Sequence, residues 1–203
     1  MEGELRMGAL KKRWRVMANQ VGGEYIRTGI FRKPKIKIIY KNQEIIINPY
    51  SKEAKIKNEY TILKTQIYSR CGFKFEIIVK KALQKFLERV GSIASNNLVP
   101  IATGCVEFDD QFKVKTNNPS ITNIILSNDD IRKMMYMINK LKVTIEKGKK
   151  KIDKHSEFLI MEIPGYVTNS LQLKDIIDLY KLFIDELINN HAIEEDNLMK
   201  KTL

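Results

Sequence analysis

The chain has 203 residues, with 36 Lys and Arg against 24 Asp and Glu and a formal net charge of +12. Its 43% hydrophobic and 30% charged residues are the balance of a globular protein and exclude a disordered chain. No stretch approaches the roughly 18 consecutive apolar residues of a membrane-spanning helix.

The charge is sorted by position. Residues 1–100 carry 21 cations to 8 anions, whereas residues 151–203 carry 6 to 10. A basic body with an acidic C-terminal helix follows. The excess of Ile, Lys and Asn also matches AT-rich coding, which raises Lys with no partner implied. Cys71 and Cys105 stand in no metal-ligand spacing and read as reduced thiols. Glu2 and Glu4, with no apolar run beside them, argue against a secretory leader, so a cytoplasmic setting is expected.

The first predicted element is a helix over residues 5–21. Leu10, Trp14, Met17 and Val21 form one apolar stripe, Lys11, Lys12 and Arg15 fall opposite, Arg13 lies at the flank, and Gly22-Gly23 ends the helix. Residues 35–40 alternate apolar and basic as a half-buried strand does. Asn42-Gln43 reads as a turn, and a second strand runs from Glu44 until Asn48-Pro49 ends it. Residues 60–69 form a third, Cys71-Gly72 reverses the chain, and Phe73, Phe75, Ile77 and Val79 line a fourth. These four read as an antiparallel meander with one dry face.

A short helix near residues 81–90 and a loop over 91–97 follow. Leu98 to Val106 reads as an extended crossing segment, and Phe108, Phe112 and Val114 mark a strand interrupted by Asp109-Asp110. Asn118-Pro119 opens a helix through N-cap and first-turn proline. Ser127 with Asp130 resembles a capping box for the next, which buries Ile131, Met134, Met135 and Ile138. A hairpin places Leu141, Val143 and Ile145 against Phe158 and Ile160, with Gly148 in its turn, and Pro164-Gly165 stops it. The last helix covers residues 170–190, and residues 191–203 are expected to fray. The order predicts an α+β fold, an antiparallel β-sheet with helices packed on one face, in one domain over residues 1–203. Two α+β halves meeting near residue 100 are the other arrangement it allows.

The run Phe108-Asp109-Asp110-Gln111-Phe112-Lys113-Val114, followed by Asn117-Asn118-Pro119 and a helix rich in Ile, resembles a loose group of uncharacterised bacterial domains. They share a Phe-Asp-x-x-Phe-x-Val strand followed by a Leu/Ile-rich helix. Some of them carry the domain beside transmembrane helices. The resemblance implies a fold and no activity.

Candidate chemistry is sparse. Asp109 and Asp110 could act as acid and base or hold a divalent ion, but neighbours on a strand point to opposite faces. The plainer reading puts Phe108 and Phe112 in the core and one Asp on turn amides. His155 and His191 sit in polar surroundings. No phosphate-binding glycine loop is present, and no catalytic residue, metal set or cofactor is expected. Three basic clusters remain: Lys11, Lys12, Arg13 and Arg15; Arg32, Lys33, Lys35 and Lys37; and Lys147 to Lys151. The first two are the candidate contacts to an acidic protein surface, nucleic acid or an anionic membrane face, each cation a counterion to phosphate or carboxylate. Trp14 belongs to the apolar stripe and reads as core. A second reading encloses a small apolar ligand between sheet and last helix, lined by Tyr40, Tyr60, Tyr68, Met134, Met135 and Met137. In a third, the acidic last helix, with Asp175, Asp178, Asp185 and Glu186, meets the basic half within one molecule or across a homodimer.

Overall fold

The structure is a computed structural model that describes residues 2–27, 29, 33–51, 59–80, 98–148 and 156–195. The helix and loop expected over residues 81–97, Arg32, Lys149 to Lys151, His155 and residues 196–203 lie outside the described residues. The fold is α+β, with nine antiparallel strands in one sheet and five α-helices among the described residues.

Helix α1 (Glu2–Gln20) buries Leu10, Trp14 and Met17 of its expected stripe, with Ala18 beside them, while Val21 is half-buried just past its end. It ends in a Schellman motif: the Gly23 amide donates to the Ala18 carbonyl and the Gly22 amide to that of Asn19. Gly22 supplies the left-handed conformation, at φ +69°. Gly23 is needed for space, because a Cβ there would stand 2.6 Å from Ile36 Cγ2. The turn feeds β1 (Glu24–Ile26), a three-residue strand absent from the sequence reading, which pairs with β2 (Lys35–Tyr40). Lys41 and Asn42, both at positive φ, make the tight turn into β3 (Gln43–Ser51), one residue earlier than expected. Strand β3 continues through Pro49 to Ser51. Its pairing with β2 stops at Ile47, so the amide that Pro49 lacks is missing where β2 no longer needs it.

Strand β4 (Glu59–Ile67) completes an antiparallel run of four neighbours, β1 to β4, but the next neighbour is not β5 (Phe75–Val79). The hairpin of β8 (Lys142–Lys147) and β9 (Glu157–Pro164) is inserted between them. Eight register pairs, from Tyr60↔Pro164 to Ile67↔Glu157, join β4 to β9. Strand β5 then pairs with β8 on one side and β7 (Phe112–Thr116) on the other, and β6 (Val99–Ile101) closes the order β1-β2-β3-β4-β9-β8-β5-β7-β6. Of the four strands expected in one meander, β2, β3 and β4 are neighbours and β5 is not, because the longest complementary partner of β4 is distant in sequence.

The Asp109-Asp110 segment is also corrected. Residues Val106–Gln111 form a short helix, α2, that runs directly into β7. Phe108 and Phe112 are buried and stacked at 4.6 Å. The Asp109 carboxylate accepts from the Thr103 amide at 3.0 Å, the Gly104 amide at 3.2 Å and the Thr103 hydroxyl at 2.9 Å, while Asp110 is exposed.

Helix α3 (Pro119–Leu126) is capped by Asn118 as expected, its side chain accepting from the Ile121 amide. The cap of α4 (Asp129–Ile138) is Asn128, not Ser127: Asn128 accepts from the Asp130 and Ile131 amides, and Ser127 donates back to the Ile124 carbonyl. The long helix α5 (Ser170–Asn189) lays Leu173, Ile176, Ile177, Tyr180, Phe183, Ile184 and Leu187 on the sheet. The Tyr180 hydroxyl donates to the Leu159 carbonyl at 2.7 Å, and complete burial raises its pKa. Residues 191–195 do not fray as expected. Ala192 and Ile193 are buried, and the Arg70 and Glu194 amides stitch the segment to Tyr68–Arg70. None of the helices described is long and apolar enough to cross a membrane.

Two local predictions follow from this geometry. Gly23→Ala forces its Cβ into Ile36 and is expected to cost about 1–3 kcal/mol, read from urea unfolding; an unchanged midpoint would contradict the close approach. Asp109→Ala removes a carboxylate that satisfies two amides and is expected to cost roughly 2 kcal/mol, against about 0.5 or less for Asp110→Ala. Equal effects of the two would contradict the assigned roles.

Candidate functional site

Burial of Trp14 decides where the α1 cations go. With Leu10, Trp14 and Met17 against the sheet, Lys12, Arg13 and Arg15 stand exposed and Lys11 half-buried at the edge of the helix. The chain turns back at Gly22-Gly23, so β1, Arg27 and Gly29 lie beside α1. The Lys11 ammonium donates to the Gly29 carbonyl at 3.3 Å, which marks how far this return path extends. Between the two elements lies an open groove of about 1090 Å³. One wall is Lys11, Lys12, Arg15 and Asn19 from α1; the other is Tyr25 and Arg27. Four cations from two elements thus face one concave space.

Arg27 was not singled out in the sequence. Its signal is modest: it stands two residues after Tyr25, so the period of two puts it on the same side of the strand. Tyr25 pairs in register with Ile36, whose side chain is wholly buried in the core on the α1 side of the sheet.

Arg13 turns to the other flank of α1. There, with Lys12 and Gln20, it faces Thr168, Asn169 and Ser170 at the start of α5 across a shallower groove of about 670 Å³. The first amides of α5 already have an acceptor, since Asn169 Oδ1 takes the Leu171 and Gln172 amides.

The described members of the second predicted cluster do not join the first. Ile36 and Ile38 point into the core, so Lys35 and Lys37 project from the opposite face of the sheet. Lys37 pairs there with Glu44 at 3.2 Å. Lys33 donates to the Tyr166 hydroxyl at 2.6 Å, and burial lowers its ammonium pKa despite the opposing pull of Glu59. Arg32 lies outside the described residues. The structure therefore gathers Lys11, Lys12 and Arg15, adds Arg27, and places Arg13, Lys33, Lys35 and Lys37 elsewhere.

The residues expected to line an apolar pocket are not brought to one space. Met135 is core and Met137 is 66% exposed. Tyr60 faces away from the helices, with Phe158 and Ile160. Tyr40 donates to the Asp185 carboxylate, and burial together with that bond raises its pKa. Lys41 pairs with the same carboxylate at 2.8 Å, and Glu186 accepts from the Asn128 amide group at 2.9 Å. Much of the acidic helix is thus engaged inside the molecule. Asp109 and Asp110 stand apart in role, one holding a loop and one in solvent, and among the described residues no three acidic, His or Cys side chains cluster as metal ligands. Cys71 and Cys105 are both free thiols, the first exposed.

No protein-family model matches the chain, and no curated protein matches it in sequence. Its fold is similar to the crystal structure of the mycobacterial trehalose monomycolate transport factor A, TtfA, with a TM-score of 0.53 and 10% identity. The match covers 88% of this chain and 94% of that one, and it is a likeness of fold.

Proposed function

We propose that this chain is a binding module that receives an acidic partner in the groove between α1 and β1. The observation that carries the reading is the convergence of Lys11, Lys12, Arg15 and Arg27 from two elements on one concave surface. A cleft lined by one sign of charge focuses the field and raises the local concentration of counter-charge. A single exposed ion pair contributes only about 0–1 kcal/mol, so useful affinity requires several contacts at once. Such binding weakens as salt rises, because the Debye length falls from about 10 Å at 0.1 M to about 3 Å at 1 M. The groove supplies recognition and no arrangement for bond chemistry, and we read the chain as non-enzymatic. Two free thiols, one of them exposed, favour a reducing cytoplasm as its setting.

The test is elution from a heparin column. The unaltered chain is expected to elute late. A variant with Lys11, Lys12, Arg15 and Arg27 changed to Gln is expected to elute at markedly lower salt. A control with Lys133, Lys140, Lys147 and Lys174 changed to Gln loses the same charge from exposed sites elsewhere and is expected to stay near the unaltered chain. Equal shifts in both variants would mean that charge acts diffusely, and the reading would fail.

A further inference from the structure

We propose that the acidic partner is an extended peptide that docks as an added strand on the outer edge of β1. This rests on the groove reading above and narrows it. Strand β1 ends the sheet: one edge pairs with β2, and among the described residues no strand occupies the other. A sheet edge offers main-chain donors and acceptors that an extended peptide satisfies by β-augmentation. Here that edge borders a basic groove, because α1 stands beside β1 on the side to which Tyr25 and Arg27 point.

The spacings agree. An added strand sends alternate side chains to the same side, about 6.6 Å apart along the strand. Lys11 and Arg15 are one helical turn apart, about 6 Å along the α1 axis. Carboxylates at positions i and i+2 of the peptide therefore meet successive cations of the helix wall, with Arg27 contributing from the strand. The intervening peptide positions fall on the opposite face of the sheet, beside Glu24 and Ile26, and are neutral by this geometry. The sequence class recognised is an alternation of acidic and neutral β-forming residues.

The same features argue against nucleic acid. Bases need stacking surfaces, and among the described residues the groove holds one aromatic, Tyr25, which is already packed against the core. Trp14 is wholly buried beneath the helix. A main-chain edge has no counterpart in a phosphate backbone. Because β1 has only three residues, main-chain bonds contribute specificity and the charges most of the affinity.

The experiment is fluorescence anisotropy on the full chain with labelled probes of equal charge. These are the peptide Glu-Thr-Glu-Thr-Glu-Thr-Glu, a peptide of the same composition with its Glu residues contiguous, the alternating peptide N-methylated at its Thr amides or at its Glu amides, and a single-stranded oligonucleotide. The alternating peptide is expected to bind about tenfold tighter than the contiguous one. One of the two N-methylated forms is expected to lose about tenfold, as removal of main-chain bonds implies. Lys11→Gln with Arg15→Gln is expected to abolish the preference for alternation. Equal affinity for all peptides would overturn the added strand and leave the anionic groove standing. Tighter binding of the oligonucleotide than of every peptide would overturn it in favour of nucleic acid. Failure of every probe, together with early heparin elution, would overturn both readings.

Discussion

The seating of α1 on the sheet is the constraint from which the basic groove follows. Trp14 has no exposed surface, and Leu10, Met17 and Ala18 are buried beside it. Removing such a side chain from a core costs on the order of 3–5 kcal/mol, far more than any surface charge contributes. The helix therefore rotates to satisfy Trp14, and the cations take the positions left over. Gly22 and Gly23 act on the same geometry from the chain itself, one by adopting positive φ and one by admitting Ile36 at close range. They return the backbone alongside α1, which sets Arg27 opposite Lys12 and Arg15. The charge of the groove is a consequence of apolar packing and a tight turn.

A second organising feature is the insertion of the β8–β9 hairpin into the middle of the sheet. It joins strands from both halves of the chain through the long β4–β9 register. Both faces of this central region are dry in part. Leu159 and Met161 enter the core under α5, while Phe158 and Ile160, on the other face, are 8% exposed. Charged arms lie over that second face: the Lys64 ammonium sits 3.4 Å from the Phe158 ring centroid, and Lys142 pairs with Glu76 at 3.0 Å. Long side chains that spread their stems over apolar atoms contribute to this burial.

Much of this was legible in the residues. The α1 stripe, the Asn118 cap, the last helix and the hairpin that ends at Pro164-Gly165 each follow a local rule of period or punctuation. What was not legible is non-local or ambiguous in period. Nothing near β4 shows that its partner lies a hundred residues away. Phe108 and Phe112, four apart, fit one face of a helix as well as one face of a strand, and the structure divides them, Phe108 on α2 and Phe112 opening β7. Ala192 and Ile193 look like a tail until the Arg70 amide donates to the Ala192 carbonyl and Ser69 comes opposite Ile193 in a β-bridge. The candidate site divides along the same line. The first basic cluster was readable because a helix places its residues by a known angle. For the second, the alternation read over residues 35–40 already sends Lys35 and Lys37 to the far face, whereas the bond of Lys33 to Tyr166 is non-local and has no signal in the sequence. Arg27 was missed because a lone cation carries no pattern until β1 is known to exist.

The central claim is that a basic groove between α1 and β1, and not the total charge of the molecule, meets the partner. The most direct measurement is an amide NMR titration of the full chain with a short heparin fragment at near-physiological salt. The account predicts that shifts concentrate at residues 11–19 and 24–29. Shifts of comparable size at Lys113, Lys115 and Lys142, on the far face of the sheet, would contradict it.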